Sequence, residues 1–101
     1  MDCPKCRSPG MCICEPTRAS LEEVLAEVGS EVAIAEANWP AFNSAHEGFA
    51  VMLEEVDELK EHVWTNQKRR DMQAMRKEAI QVAAMAVRFV RDVCDLHRGM
   101  R

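Results

Sequence analysis

The sequence predicts an all-α fold: a bundle of three main helices completed by homo-oligomerisation, with a short Cys-rich segment ahead of it. Three observations lead there. Apolar residues recur at i, i+3, i+4 and i+7 in three stretches, the spacing of one helix face. Each stretch opens on a capping residue, and none alternates with the period of two that a strand needs. Only four glycines and four prolines occur in 101 residues, and three of those prolines fall within residues 1–18.

Ser20 with Glu23 three places on forms a capping box and opens the first helix. Leu21, Val24, Leu25, Val28, Val32 and Ile34 are its apolar positions, and Gly29 with Ser30 weakens its middle without ending it. Trp39-Pro40 ends it, because proline forces the residue before it into extended backbone. Ser44 and Glu47 repeat the cap signature and open a second helix, about residues 44–64, carrying Phe49, Met52, Leu53, Val56, Leu59 and Val63. Residues 65–71 are polar throughout and read as a turn, with Asp71 the N-cap of a third helix from about 72 to 95. Between Ala79 and Val90 only Gln81 and Arg88 are polar, and with Lys77 they form one narrow strip. So apolar a helix needs cover on most sides. Without residues 1–18 about 80 residues remain, a size at which one core is marginal. A second copy of the chain is therefore expected as cover, in a homodimer or homotetramer.

Composition narrows the function classes. With 48% hydrophobic and 30% charged residues the chain is globular in character rather than disordered. Thirteen Lys plus Arg against seventeen Asp plus Glu give a net charge of −4, a poor balance for neutralising phosphates, so no nucleic-acid partner is expected. No apolar run approaches the roughly 20 residues that span a bilayer, so no membrane partner is expected either. The first twenty residues lack the apolar core of a signal peptide, and the cytoplasm is the expected compartment. In that compartment cysteines are read as thiols or metal ligands before disulfides.

Residues 1–18 hold four of the five cysteines and divide from a helical domain at 19–101. Cys3 and Cys6, then Cys12 and Cys14, give Cys-x₂-Cys, five residues and Cys-x-Cys. Four thiolates so close together suit a tetrahedral structural Zn²⁺. The gap is shorter than the usual zinc-ribbon spacing, and a redox-active or unstructured segment is the competing reading. Cys94, on the apolar third helix, is expected to be a small buried hydrophobe.

Carboxylates stand where the apolar pattern asks for carbon. On the second helix Glu47, Glu54, Glu58 and Glu61 fall within about 60° of one another, opposite the Phe49, Val56 and Val63 stripe. For Glu47 and Glu61 a solvated acidic face suffices. Glu55 sits at the edge of the apolar sector, one turn from Glu58, so the two can converge on one ion. Glu78 shares its side of the third helix with Met75, Val82, Met85 and Phe89, where an unpaired carboxylate is expensive to bury. Three residues on, Gln81 offers another oxygen. Two readings are open for Glu78: an ion pair with Arg76, Lys77 or an arginine of another helix, or a metal site with Glu55 and Glu58. All-oxygen ligands suit Mg²⁺ or Mn²⁺. A di-iron centre would want Glu-x-x-His on two helices, and none of His46, His62 and His97 follows a Glu by three.

Glu54-Glu55-x-x-Glu58, a basic loop, and then Glu78-x-x-Gln81 on an apolar helix resemble the MazG-like all-α nucleoside triphosphate pyrophosphohydrolases. The strings WPAFNSAHEGFAVMLEEVDEL and MRKEAIQVAAMAVRFVRDV look like their small phage-type branch, which includes proteins acting on purine deoxynucleoside triphosphates; the resemblance covers roughly residues 20–97. It implies Mg²⁺-dependent cleavage between the α and β phosphates of a (d)NTP, dGTP or dATP, to a monophosphate and pyrophosphate. If the chain is phage-encoded, the compartment is the host cytoplasm. By motif position Glu55, Glu58 and Glu78 match metal ligands, and Glu54 matches a ligand-supporting residue or base. Gln81 stands where the family has Asp, which removes one negative charge from the site. Lys68, Arg69, Arg70, Arg76 and Lys77 are placed to receive the β and γ phosphates or to form a solvated turn. Trp39, Phe42 and Asn43 precede the acidic helix and are placed to hold the base, with a core role the other reading for Trp39. The competing function is a non-catalytic, zinc-containing helical interaction or redox-regulatory module. It gives no reason for a carboxylate inside the apolar sector at Glu78.

Overall fold

The structure is a computed structural model and describes residues 18–96. The Cys3, Cys6, Cys12 and Cys14 set and His97 lie outside these residues. Within them the chain is all-helical, with α1 at Leu21–Asn38, α2 at Ala45–Val63 and α3 at Met72–Phe89.

The three helix starts follow from their caps. Ser20 Oγ accepts the Glu23 N–H at 3.1 Å while Glu23 Oε1 accepts the Ser20 N–H at 3.0 Å, closing the capping box. Ser44 Oγ accepts the Glu47 N–H at 3.0 Å. Asp71 Oδ1 accepts the N–H groups of Gln73 and Ala74 at 3.0 and 3.1 Å. α1 stops at Asn38 because Trp39 is extended ahead of Pro40. The polar linker after α2 contains one short 3₁₀ turn, Gln67–Arg69.

α3 does not run straight on to residue 95. It passes into a π turn at Val90–Cys94, closed by the Asp95 N–H on the Val90 carbonyl at 2.9 Å. The wider turn shifts the helical register. Asp92 and Val93 are buried, and Cys94 is exposed rather than the buried hydrophobe expected of it.

α1 and α2 each pack along α3 rather than on one another. The core is correspondingly thin: Val28, Val32 and Ala35 of α1, Phe42 of the connecting loop, Ala84 and Met85 of α3, and Val93. α2 turns Gly48, Val51, Met52, Glu55, Leu59 and His62 inward. The other four apolar positions of α2 lie on an outer flank, with Phe49 57%, Leu53 43%, Val56 39% and Val63 36% exposed. The periodicity locates an apolar flank, and of the acidic flank Glu47 and Glu54 look toward α1 across a cleft.

Gly48 shows how close α2 comes to its neighbours. A Cβ there would lie 2.8 Å from Phe89 Cδ2 and 3.0 Å from Phe42 Cδ2, whereas one at Gly29 would meet nothing within 4 Å. Alanine is a better helix former than glycine by about 1 kcal/mol, so Gly29→Ala should raise the melting temperature. Overpacking costs about 1–3 kcal/mol, so Gly48→Ala should lower it despite the same propensity gain. Thermal melts followed by circular dichroism check both signs.

Candidate metal centre and cleft

Because α1 and α2 splay over α3, a cleft of about 610 Å³ remains between them. Its floor is Gln81, Met85 and Arg88 of α3, and its α2 wall carries Glu47, Val51, Glu54 and Glu55. The α1 wall brings Glu31, Ile34 and Ala35, and the loop closes one end with Trp39, Pro40 and Phe42. The volume is within the range of small-molecule sites.

At the other end three carboxylates converge. Oxygens of Glu55, Glu58 and Glu78 lie within 4.8 Å of one another, with Glu55 and Glu78 half-buried and Glu58 exposed. Glu55 and Glu58 come from successive turns of α2, and Glu78 faces them from α3. Burial is the first cause that lifts the Glu55 carboxyl above the ordinary glutamate range, and the charges of Glu58 and Glu78 add to it. Glu78 is lifted by burial, then by a hydrogen bond with the Glu58 carboxyl and its charge, with His62 and Lys77 opposing. Like charges this close raise one another's proton affinity, and a cation between them would relieve the repulsion. Three hard oxygens fit Mg²⁺ or Mn²⁺. The donor set therefore suits a divalent ion, which Glu55, Glu58 and Glu78 would hold.

A pH-dependent consequence follows. Folded Glu55 and Glu78 bind protons more tightly than an unfolded chain does. Their contribution to stability is therefore present below the ordinary glutamate range and lost as pH rises through their raised values. A divalent ion bound to the deprotonated cluster would reverse the trend. Millimolar Mn²⁺ should raise the melting temperature by about 5 °C or more at pH 7.5 and by much less at pH 5. Equal gains at both pH values would contradict the assignment.

The ion-pair reading of Glu78 does not describe the structure. Arg76 forks onto Glu27 of α1, with Nη1 on Oε1 at 2.7 Å and Nη2 on Oε2. Arg91 pairs with Glu36 at 3.1 Å. Among the described residues no arginine or lysine forms an ion pair with Glu78.

The other expected site residues divide. Glu54 lines the cleft beside the cluster, and Trp39 lines its rim at 67% exposure, which is not a core position. Gln81 lines the cleft, and its Nε2 donates to Glu31 Oε2 at 2.8 Å. Asn43 is drawn to the start of α2, where its backbone N–H donates to Glu47 Oε1 at 3.0 Å and its Nδ2 donates to Glu47 Oε2 at 3.3 Å. Lys68 and Arg69 are exposed on the 3₁₀ turn and line neither cleft nor cluster. Arg70 Nη2 donates to the Val63 carbonyl at 2.7 Å, satisfying the C-terminal end of α2. Lys77 lines a smaller groove between α1 and α3, next to Glu78 in sequence.

Two cleft residues and one buried beside them escaped the sequence reading. Glu31 was unmarked on α1. Arg88 belongs to the expected polar strip, yet it is 3% exposed, because the loop from Trp39 to Phe42 folds over it. Its Nη2 donates to the Pro40 carbonyl at 2.8 Å, and its guanidinium stacks 4.5 Å from the Phe42 ring centroid. Asp92 is also buried, and its Oδ2 accepts the Phe42 N–H at 3.1 Å. The signal for Arg88 was present: an isolated charge in a long apolar run.

Compared with known protein families, curated proteins and solved structures, the chain gave no match. No helix of the described residues is long and apolar enough to cross a membrane.

Proposed function

We propose that the chain is a MazG-like, Mg²⁺-dependent pyrophosphohydrolase that cleaves a purine (d)NTP to the monophosphate and pyrophosphate. One observation carries this reading. The Glu55, Glu58 and Glu78 cluster adjoins a cleft whose opposite end is aromatic, so an anionic end and a flat apolar end of one ligand have separate places. Glu55 belongs to both.

The residues divide the work accordingly. Glu55, Glu58 and Glu78 hold the cation, and Gln81 adds a neutral oxygen beside them without a charge. Bound Mg²⁺ neutralises phosphate oxygens and makes water more acidic. Glu54, next to Glu55 on the cleft wall, is the candidate base that receives the proton of the attacking water. Trp39, exposed at the rim, holds the base by stacking at the far end. Lys77 is the expected phosphate cation nearest the cluster in sequence, whereas Arg70 is engaged by the Val63 carbonyl. The activity is placed in the cytoplasm.

Incubation with each (d)NTP and Mg²⁺, with product analysis, tests the reading. Equimolar monophosphate and pyrophosphate from a purine nucleotide are expected. Release of inorganic phosphate with a diphosphate, or no product from any nucleotide, would overturn it.

Self-association and a zinc knuckle belong to the same proposal. The exposed Phe49, Leu53, Val56 and Val63 flank offers a second copy the apolar cover that a thin core lacks. Structural Zn²⁺ is assigned to Cys3, Cys6, Cys12 and Cys14, which lie outside the described residues. Native mass spectrometry reads both features. A dimer or tetramer with one zinc per chain is expected, and a metal-free monomer contradicts them.

A further inference from the structure

We infer that Arg88 reads the base of the substrate and selects a purine edge with two hydrogen-bond acceptors, as in guanine or hypoxanthine, over adenine. The inference rests on the nucleotide reading above and deepens it. Among the described residues lining the cleft, Arg88 is the only arginine or lysine, set against Glu31, Glu47, Glu54 and Glu55. A guanidinium has five N–H donors and no acceptor. Here the donor on Pro40 is its one short hydrogen bond among the described residues, Asp92 is 3.8 Å away, and Nε has no partner. A buried donor group so short of acceptors is costly unless a ligand supplies them.

Position decides what that ligand group is. Arg88 lies ten residues along α3 from Glu78, about 15 Å of helix axis. The phosphates belong at the carboxylate end, with the cation. Arg88 lies over Phe42 at the aromatic end, where the base would stack on the exposed Trp39. The O6 and N7 atoms of guanine present two acceptors that match the guanidinium fork, whereas the amino group of adenine places a donor against a donor.

Substrate analogues test this without altering the protein. For wild-type pyrophosphate release, dGTP and dITP should have similar kcat/KM, while dATP and 7-deaza-dGTP fall by about tenfold or more. Glutamine pairs with the N6/N7 edge of adenine, so Arg88→Gln should reduce the dGTP-to-dATP ratio by about tenfold or more. Equal wild-type kcat/KM for all four nucleotides overturns the inference while leaving the pyrophosphohydrolase intact. A folded Arg88→Gln variant that loses dGTP and dATP turnover in equal proportion also overturns it, marking Arg88 as structural only. Should that variant fail to fold, the analogue series decides alone. Failure of the wild type to release pyrophosphate from any nucleotide is a different result and removes the activity itself.

Discussion

Glu55→Gln and Glu78→Gln should each reduce pyrophosphate release by at least about a hundredfold, the scale seen when ligand shells or oxyanion donors are removed, while the helical circular dichroism is retained. The two carboxylates come from different helices and meet within 4.8 Å of Glu58. Each substitution keeps size and one carbonyl oxygen but removes a charge that a divalent ion needs. Stability should move the other way. Both carboxyls are held above their ordinary range by burial and by their neighbours, so ionised they strain the cation-free fold. Without divalent ions the amide variants should therefore melt no lower than wild type at pH 7.5, and they should lose the gain that Mn²⁺ confers. Full activity in both variants would remove these residues from the site. A large loss of stability in both would make them structural.

Asp92→Ala should strongly destabilise the fold. Asp92 accepts the buried Phe42 N–H at 3.1 Å and lies 3.8 Å from the buried Arg88 guanidinium. Truncation leaves a buried cation without its counter-charge and a backbone donor without an acceptor. Removing one partner of a buried pair costs about 3–5 kcal/mol, a large share of the roughly 5–15 kcal/mol that holds a domain together. At 4–8 °C per kcal/mol for a domain this small, the melting temperature should fall by about 12 °C or more. Asp92→Asn keeps an acceptor for Phe42 and should lose less. An Asp92→Ala melt within about 1 °C of wild type would mean that the pair does not hold the loop. The loop carries Trp39, Pro40 and Phe42, so this pair also shapes one end of the cleft.

Local chemistry made the helices legible. Ser20 with Glu23, Ser44 and Asp71 each form the cap expected of them, and Trp39-Pro40 ends α1. The carboxylate cluster was legible for a related reason: an i, i+3 pair on one helix and an acid in an apolar sector of another both violate the helical pattern. What the pattern did not resolve was which side of α2 is covered and what the loop after α1 buries. The apolar positions of α2 divide, Met52 and Leu59 turning inward while Phe49, Leu53, Val56 and Val63 stay exposed, and Gly48 comes close to Phe42 and Phe89. The Arg88 and Asp92 pair has the i, i+4 spacing of an ordinary surface pair, and only the loop folded over it makes it a buried one. Cys94 turned outward because of a π turn that no residue type announces.

Mn²⁺ binding, read from the loss of the free-ion electron paramagnetic resonance signal at pH 7.5, tests the central claim most directly. The claim predicts saturable binding by the wild-type chain, displacement by Mg²⁺, and loss of that site in Glu55→Gln and Glu78→Gln. Equal Mn²⁺ uptake by wild type and both variants, or none by wild type, would contradict it.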